Sequence, residues 1–326
     1  MLEVLELPKS GQGAEDALAG EEFFEQLRSN LSSRGAVIIR DSKFNLMTER
    51  LLQCIHELFS LSEKEKERYR LDKSKGIYSG FSTLVSERDF REQFHLFIGF
   101  HKDDHVSDLK APNVCPSSLS SPSSASSPWS ECVSEHMEFM QELGESFLKV
   151  LMDQKWHIGQ GSQAYSLLKM IKYSRTGFGA RSGTPPHIDW SYLTLVCQDS
   201  NPGLEILDSA GTWETIKLEP DSLLVIVGEL LELASAGRYP AVPHRFKITE
   251  ALQERVSAPF FLSPDLDQIV PWTEKTDGHE RNLAESVEHV HRVFAPGEVS
   301  GPIQFGASEV NRKVAGRWCY RPGCCG

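Results

Sequence analysis

The sequence predicts a mainly β protein of the α+β class, in which an antiparallel barrel or double sheet is flanked by helices. Short strand-like blocks alternate with Gly, Pro and Asn or Asp turns across the second half of the chain. Stretches with helical periodicity precede and follow these blocks. A chain of 326 residues, 40% of them hydrophobic, is long enough to bury a full core as one domain. The predicted strands are residues 167–173, 192–198, 203–207, 223–227, 244–248 and 255–261.

The N-terminal part of the chain is predicted to open with a helix and a short buried strand, at residues 21–31 and 35–39. Residues 46–70 carry apolar side chains at helical spacing and then a charged run that ends at Arg68. This pattern predicts one long helix whose last turns present a solvated face. Residues 76–100 combine glycines with alternating aromatic side chains, which is typical of loops and strands near a barrel mouth.

A change of composition separates these elements from the predicted strands. Between residues 112 and 130 nearly every residue is Ser, Pro, Ala or another small residue. Such a segment is too poor in apolar side chains to offset the entropy of ordering, so we expect a flexible surface insertion. Residues 131–154 return to helical periodicity and are predicted to pack under the sheet, and residues 280–294 and 307–320 are predicted as closing helices.

The predicted organisation is one integrated domain. Residues 1–155 form an N-terminal region of helices and strands that supports the barrel and contains the insertion. Residues 156–275 form the barrel core, and residues 276–326 form the C-terminal helices and tail.

Charge and cysteine content exclude several classes of partner. The 34 basic and 46 acidic residues give a formal charge of −12, which repels phosphate backbones and anionic lipid surfaces. No uninterrupted apolar run approaches the roughly 18 residues of a membrane span. The seven cysteines are odd in number and follow no apolar signal segment. We therefore expect a cytoplasmic protein that binds a small molecule and neither nucleic acid nor membrane; the oligomeric state stays open, and a monomer fits the pattern.

Two histidines and an aspartate are the candidate metal ligands. His187 and Asp189 lie two positions apart, so on a β-strand both side chains point to one face. The segment between His187 and His244 is long enough for about four strands and their turns. Two imidazoles and one carboxylate occupy one face of an octahedron around non-haem Fe(II) and leave the other face open for substrate and O₂. An isolated His-x-Asp pair is more often structural, so the prediction depends on convergence with His244.

Three further residues are candidates for binding a co-substrate. Arg255 and Ser257 also share one face of a predicted strand, where a guanidinium and a hydroxyl make a fork for a carboxylate. Next to an open Fe(II) site, this fork would bind the far carboxylate of 2-oxoglutarate, whose 2-oxo acid end chelates the metal. Tyr173, one predicted strand before His187, would donate another hydrogen bond. Taken singly, Arg255 also fits a surface ion pair and Tyr173 a packed core aromatic.

Other candidate metal ligands are weaker. His289 and His291 lie two residues apart on a predicted helix, where their side chains diverge by about 200° and suit a solvated surface. The C-terminal cysteines lack a paired Cys-x-x-Cys frame, so zinc is not expected there. Phosphate-binding loops, Ser/His/Asp triads and paired catalytic carboxylates are not apparent in the sequence.

The chain resembles the isopenicillin N synthase-like family of Fe(II)/2-oxoglutarate-dependent dioxygenases. The resemblance is in the order and spacing of motifs over roughly residues 20–320: the His187-x-Asp189 strand and the strand after it, a Gly-Leu-Glu-Ile block at 203–206, Trp213, Gly228, Gly237, Pro243-His244-Arg245 and Arg255-x-Ser257. Departures from the family pattern affect the shape of the pocket and not the metal ligands: Ile188 replaces a common Thr, and Ile171 stands where plant members often have Asn.

The resemblance implies a double-stranded β-helix core of the jelly-roll, cupin-like type. It also implies Fe(II) held by His187, Asp189 and His244, 2-oxoglutarate held by Arg255, Ser257 and Tyr173, and O₂ as oxidant, with ascorbate as a stimulant. The expected reaction hydroxylates a small metabolite, as in secondary metabolism, with release of succinate and CO₂; desaturation, cyclisation and demethylation stay open. His95 would lie near the substrate mouth, either touching substrate or buried and hydrogen-bonded.

Two alternatives to this activity remain at the level of the sequence. In one, an Fe(II) oxidase of the same fold works without 2-oxoglutarate, and Arg255 and Ser257 bind a carboxylate of the substrate. In the other, the chain keeps the fold as a binding protein without turnover. The intact set of metal ligands argues against the second alternative.

Overall fold

The computed structural model describes residues 1–9, 14–72, 79–85, 90–98, 113–116, 119, 128–152, 165–174, 183–247, 254–265, 269–270 and 303–304. The helices are α1 (Ala14–Arg34), α2 (Ser42–Ser60), α3 (Glu63–Arg68), α4 (Pro128–Leu151) and α5 (Glu229–Ala234). The first strands are β1 (Val4–Glu6), β2 (Ala36–Arg40), β3 (Gly80–Val85), β4 (Phe90–Phe97), β5 (Leu167–Ser174), β6 (Gly183–His187) and β7 (Leu193–Gln198). They are followed by β8 (Leu204–Leu207), β9 (Trp213–Thr215), β10 (Ser222–Val227), β11 (His244–Lys247), β12 (Glu254–Leu262), β13 (Ile269–Val270) and β14 (Ile303–Gln304).

The described strands form a large sheet of eight strands and a small sheet of four. The large sheet has the order β1-β2-β10-β7-β12-β5-β4-β3, and the small sheet has the order β6-β11-β8-β9. Apart from the parallel pair β1 and β2, neighbouring strands in both sheets are antiparallel. Strands β13 and β14 make a separate antiparallel pair. Two largely antiparallel sheets with flanking helices confirm the predicted jelly-roll fold class.

Both faces of the large sheet are buried, because alternate side chains of β10 belong to two different hydrophobic cores. Leu223 and Val225 belong to the main hydrophobic core, which also contains buried residues of α1, α2 and α4. Leu224 and Ile226 belong to a second core together with Ile206 of the small sheet. Because successive side chains of a strand point to opposite faces, the helices cover one face and the small sheet covers the other.

The predicted strands agree closely with the structure. Each of the six strands predicted between residues 167 and 261 is present, and both of its ends lie within one residue of the predicted position. One local feature differs: His187 is the last residue of β6, so Asp189 lies in the turn after the strand and not on it. The turn is held by its backbone, since Glu229 N donates to Asp189 O at 2.8 Å.

The single long helix predicted for residues 46–70 is wrong. The structure has two helices there, because α2 ends at Ser60 and Ser62 starts α3 with a capping box. In this motif the Ser62 hydroxyl accepts from Glu65 N and the Glu65 carboxylate accepts from Ser62 N, which stabilises a new N-terminus. The charged run is also not fully solvated, since Lys66 is 4% exposed and its Nζ lies 2.5 Å from Glu92 Oε1.

Several predictions concern residues that lie largely outside the described parts of the chain. The predicted helices at 280–294 and 307–320 are outside them, and so is most of the predicted insertion at 112–130. Helix α4 begins at Pro128, three residues before the predicted start and within the range assigned to the insertion. Within the described residues, no helix has both the length and the apolar character of a membrane span.

Candidate metal centre

Neighbouring strands of the small sheet bring the two candidate histidines together. His244 is the first residue of β11, and its Cα is paired with that of His187 at the end of β6. The two imidazole rings are 4.3 Å apart between centroids, with an interplanar angle of 51°. With Asp189, they form the one cluster of three potential metal-ligating residues found among the described residues, with ligand atoms all within 4.8 Å of one another. The structure therefore brings together the three residues that the sequence selected.

A backbone carbonyl two residues earlier in the chain orients each imidazole. The Nδ1 of His187 donates to Pro185 O at 2.9 Å, and the Nδ1 of His244 donates to Val242 O at 3.1 Å. This tautomer leaves each Nε2 with a lone pair for a metal. Both Nε2 atoms face the carboxylate of Asp189, at 3.6 Å from Oδ1 for His187 and 3.5 Å from Oδ2 for His244.

The carboxylate of Asp189 is held from the large sheet. Asp189 is 5% exposed, and its Oδ2 accepts a hydrogen bond of 2.7 Å from the hydroxyl of Thr194 on β7. The Thr194 and Ser191 hydroxyls lie 3.0 Å apart, so the turn and the strand share one short network. Sequence reasoning assigned no role to Thr194. Its place at the start of a predicted strand, five residues after the aspartate, was the available signal.

The turn that carries Asp189 packs against the N-terminus of α5. Gly228 N donates to Tyr192 O at 3.0 Å, and Leu230 N donates to Ser191 O at 3.1 Å. A Cβ at Gly228 would lie 2.2 Å from Ser191 O, which no side chain tolerates without movement of the backbone. The absence of a side chain at Gly228 is therefore required for the close approach of helix and turn.

The electrostatics of the cluster favour the protonation states that bind metals. Burial, reinforced by the neighbouring His244, lowers the pKa of His187 to about 3. Burial acts to raise the pKa of Asp189, but the two histidines and the Thr194 hydrogen bond outweigh it and hold that pKa below its ordinary value. At neutral pH His187 is neutral and Asp189 is ionised, which are the forms that coordinate a cation.

The candidate co-substrate residues lie on adjoining strands of the large sheet. Arg255 on β12 is the register partner of Tyr173 on β5, and Ser257, two residues further, is the partner of Gln198 on β7. All three predicted residues are buried, with exposed fractions of 2% for Arg255, 4% for Ser257 and 3% for Tyr173. The alternative interpretation that Arg255 makes an ion pair at the surface is therefore wrong, because its side chain is buried.

The guanidinium of Arg255 is packed between aromatic rings, and one of its N–H groups has no hydrogen-bond acceptor in the described part of the chain. Its Cζ lies 4.3 Å from the ring centroid of Phe246 and 5.5 Å from that of Tyr173, and its Nη2 donates to Gln198 Oε1. Burial lowers the pKa of Arg255. The buried Nε has no hydrogen-bond partner among the described residues. An unsatisfied donor on a buried cation is costly, so a carboxylate is a chemically suitable ligand at this point.

Tyr173 makes a contact that the sequence did not predict. Its hydroxyl lies 2.7 Å from the hydroxyl of Thr184 on β6, and Nη1 of Arg91 on β4 donates to the same Thr184 oxygen. These bonds connect the two sheets beside the candidate metal ligands. Gln198, Phe246, Thr184 and Arg91 were all missed by sequence reasoning, because only the pairing of distant strands shows that they surround one space.

The remaining histidine predictions have mixed outcomes. His95 on β4 is 4% exposed and is paired in register with Gly80 and Lys169. It is thus buried on a strand that borders the centre. His289 and His291 lie outside the described residues, as do the C-terminal cysteines.

The donor set fits the cofactors that the sequence pointed to. Two imidazole Nε2 atoms and one carboxylate converge on a common point, which is the ligand set of a mononuclear Fe(II) site. The unpartnered Nε of Arg255, on the facing sheet, fits the far carboxylate of 2-oxoglutarate.

Two family models match the chain. Residues 166–264 match the model of the 2OG-Fe(II) oxygenase superfamily. This range contains the candidate metal ligands and the candidate co-substrate residues. Residues 3–118 match the model described as non-haem dioxygenase in morphine synthesis N-terminal.

Curated relatives and a solved structure agree with these matches. The chain is similar to Kihadalactone A synthase LFS of Citrus sinensis, with 26% identity over 236 residues that cover 66% of this chain and 68% of that protein. It is similar to gibberellin 2-beta-dioxygenase 6 of Oryza sativa subsp. japonica, with 31% identity over 116 residues. The second match spans 35% of this chain and only 32% of that relative's length. The fold is similar to that of the dioxygenase for auxin oxidation in rice, with a TM-score of 0.66 and 20% identity, covering 98% of this chain and 97% of that chain.

Proposed function

This chain belongs to the 2OG-Fe(II) oxygenase superfamily, and we propose on that premise that it is an Fe(II)- and 2-oxoglutarate-dependent oxygenase of a small organic metabolite. One molecule each of substrate, 2-oxoglutarate and O₂ would give hydroxylated substrate, succinate and CO₂. The observation that carries the proposal is the convergence of His187, Asp189 and His244 on one point, with both imidazoles oriented through Nδ1.

The residues of the small sheet and the turn after it would hold the metal. His187 and His244 would each present Nε2, and Asp189 one carboxylate oxygen, to Fe(II). The hydrogen bond from Thr194 keeps the Asp189 carboxylate ionised and oriented. When bound, Fe(II) together with 2-oxoglutarate and O₂ supplies the oxidation of a C–H bond.

The residues of the large sheet would hold the co-substrate. Arg255 would bind the far carboxylate of 2-oxoglutarate through its unpartnered Nε, and Ser257 and Tyr173 would donate further hydrogen bonds. The aromatic rings around the guanidinium exclude water, which strengthens a charge-assisted bond. The protein's own task is then to aim the substrate at the open face of the metal and to keep water out.

An iron oxidase that does not use 2-oxoglutarate is not favoured. The model that matches the core, including Arg255 and Ser257, is that of 2OG-Fe(II) oxygenases. The two activities differ in stoichiometry, since only the proposed one releases one succinate for each substrate oxidised.

We also propose that the enzyme acts in the cytoplasm, with residues 1–155, 156–275 and 276–326 forming one integrated catalytic domain. Among the described residues, Cys54, Cys132 and Cys197 are buried free thiols, as expected of a reducing compartment. Strands β1 to β4 belong to the same sheet as β5, β7, β10 and β12, which supports a single domain. The formal charge of −12 supports a metabolite and not a nucleic acid as substrate.

The test combines binding and turnover. Anaerobic calorimetric titration should show one Mn(II) per chain and then one 2-oxoglutarate that binds only when the metal is present. A panel of small metabolites should then be screened in air with Fe(II) and ascorbate, with succinate as the readout and the product identified by its mass. Failure to bind metal, or oxidation of a substrate at full rate without 2-oxoglutarate, would contradict the proposal.

A further inference from the structure

Helices α2 and α4 pack against each other in opposite directions. The indole Nε1 of Trp129, near the start of α4, donates a hydrogen bond of 2.9 Å to the backbone oxygen of Cys54 on α2. Further along α4 and further back along α2, Nη1 of Arg50 lies 3.2 Å from Oε2 of Glu135. An aromatic pair beyond these residues continues the same antiparallel order. These contacts align the two helices residue by residue.

The alignment places two cysteines opposite each other. Cys132 lies three residues after Trp129 and three before Glu135, so it shares the face of α4 that contacts α2. Cys54 lies four residues after Arg50 and shares the face of α2 that contacts α4. Because Cys54 is level with Trp129, Cys132 is offset from it along the axis by about 4.5 Å, less than one turn.

Both thiols are buried in the main core, and they interact directly. Each cysteine is 7% exposed. A hydrogen bond between the two side chains raises the pKa of Cys54 and lowers that of Cys132, and the charge of Arg50 also acts to lower the pKa of Cys132. A lower pKa favours the thiolate, which is the nucleophilic form of cysteine. Cys132 is therefore the more reactive thiol of the pair.

The pair does not have the ligands of a metal site. A structural zinc site in a protein needs four ligands in most cases, and a catalytic one needs three. Among the described residues, the one cluster of three potential ligands is His187, Asp189 and His244, which includes neither cysteine. Two facing thiols without a third ligand suit a disulfide.

We propose that Cys54 and Cys132 are a redox-sensitive modification site, at which hydrogen peroxide converts the two thiols to a reversible disulfide between α2 and α4. The Cys132 thiolate attacks one peroxide oxygen, the O–O bond breaks, and Cys132 becomes a sulfenic acid as the first water leaves. The Cys54 sulfur then attacks the Cys132 sulfur, the S–O bond breaks and the second water leaves. Each sulfur loses one electron, and one peroxide is reduced to two waters. This inference goes beyond the proposed function and does not rest on it.

The disulfide would stabilise the folded protein. It joins residues 54 and 132 and so closes a long loop of the chain, which restricts the unfolded state more than the folded one. We expect the Tm of the oxidised protein to lie about 5 °C above that of the reduced protein. In a reducing compartment a dithiol returns the pair to two thiols, as is usual for redox-sensing disulfides.

Peptide mapping of the full chain tests the proposal directly. The protein is reduced with dithiothreitol, freed of it and incubated with hydrogen peroxide. Digestion without reduction uses trypsin and a glutamate-specific protease, because cleavage after Glu131 separates Cys132 from Cys115. Mass spectrometry should find the peptides of Cys54 and Cys132 linked and lighter by two hydrogen atoms. Dithiothreitol should release them.

Variants assign the role of each thiol. In Cys54→Ala, peroxide should leave Cys132 as a sulfenic acid that dimedone traps, and the rise in Tm should disappear. In Cys132→Ala, dimedone should label Cys54 about 10-fold more slowly than it labels Cys132 in the first variant. Cys197→Ala is the matched control, because it removes a buried thiol on β7 that donates to Ala258 O at 3.8 Å. This variant should keep both the disulfide and the rise in Tm.

The mapping of the unmodified protein stands even where a variant fails to fold. The proposal is overturned if no linked peptide appears at a peroxide concentration that oxidises free cysteine, or if Cys54 or Cys132 is linked to a different cysteine. Equal Tm values for the oxidised and reduced proteins would also contradict it, because a disulfide between α2 and α4 must restrict the unfolded chain.

Discussion

The two imidazoles of the candidate centre are oriented by the same local device. In each case the acceptor carbonyl lies two residues before the histidine, and a proline stands between them, Pro186 before His187 and Pro243 before His244. Proline restricts its own φ and has no N–H to compete for hydrogen bonds. A rigid residue next to each ligand reduces the entropy lost when the imidazole is held ready for a metal.

His187→Ala should abolish binding of Mn(II) and metal-dependent turnover. The variant removes one of three ligands, and we expect the affinity for Mn(II) to fall at least about 100-fold, since even outer-shell changes cost roughly 10- to 100-fold. Anaerobic calorimetry measures the affinity, and circular dichroism checks the fold. His56→Ala is the control, because this histidine is half-exposed on α2 and is not part of the cluster. Unchanged Mn(II) affinity in His187→Ala would exclude the residue as a ligand.

Arg255→Ala should weaken 2-oxoglutarate while leaving the metal in place. One charge-assisted pair would be lost from a buried site, at a cost of roughly 2–4 kcal/mol, or about 30- to 1,000-fold in Kd. Titration of 2-oxoglutarate into the Mn(II)-loaded variant measures this. Arg245→Ala is a comparable change at an arginine that pairs with Glu205 and stacks on Trp213, and it should bind 2-oxoglutarate normally. Equal affinities in both variants would contradict the assignment.

Among the elements, the short helix α5 and the turn before β7 act as one support for Asp189. Three backbone hydrogen bonds connect them, from Gly228 to Tyr192, from Glu229 to Asp189 and from Leu230 to Ser191. They satisfy N–H groups at the start of α5, which have no partner within a helix. The same bonds leave the turn little freedom, so the carboxylate reaches the histidines from a defined direction.

Gly228→Ala should damage the metal site through this support. The new Cβ would lie 2.2 Å from Ser191 O, so the turn that carries Asp189 must move. We expect the affinity for Mn(II) to fall by about 10-fold or more, together with a lower Tm. Gly20→Ala is the control, since a Cβ at Gly20 on α1 meets nothing within 4 Å and alanine favours a helix. A Gly228→Ala protein with normal Mn(II) affinity would show that the turn is not a rigid support.

At the scale of the whole molecule, the proposed ligands would connect the two sheets. His187 and His244 are on the small sheet, whereas Arg255, Ser257 and Tyr173 are on the large sheet. A 2-oxoglutarate that chelates the metal and reaches Arg255 spans the space between them. Binding to the folded state alone stabilises it by mass action.

Mn(II) and 2-oxoglutarate together should therefore raise the Tm. At a 2-oxoglutarate concentration about 100 times its Kd, the stabilisation is about 2.7 kcal/mol, which corresponds to a rise of a few degrees. Differential scanning calorimetry under argon measures it. Asp189→Ala should show no rise with either ligand, and Arg255→Ala should respond to Mn(II) alone. A rise of equal size in Asp189→Ala would mean that the ligands bind elsewhere.

Much of this protein could be predicted from local sequence. The strand boundaries follow from apolar blocks between Gly, Pro and Asn or Asp, and the choice of His187, Asp189, His244 and Arg255 follows from residue type and spacing. The wrong prediction of one helix over residues 46–70 also has a local cause. The helical spacing of apolar residues continues through Leu61, but the capping box at Ser62 starts a separate helix.

The sequence by itself determined the fold class and the chemical types of the ligands, because strand period, turn residues and ligand preference are properties of short segments. Only the tertiary structure decided that Thr194 holds Asp189 and that Gln198 and two aromatic rings enclose Arg255. These contacts join strands far apart in the chain. The register of these strands depends on how the two sheets pack around a shared core, and no local pattern encodes that register.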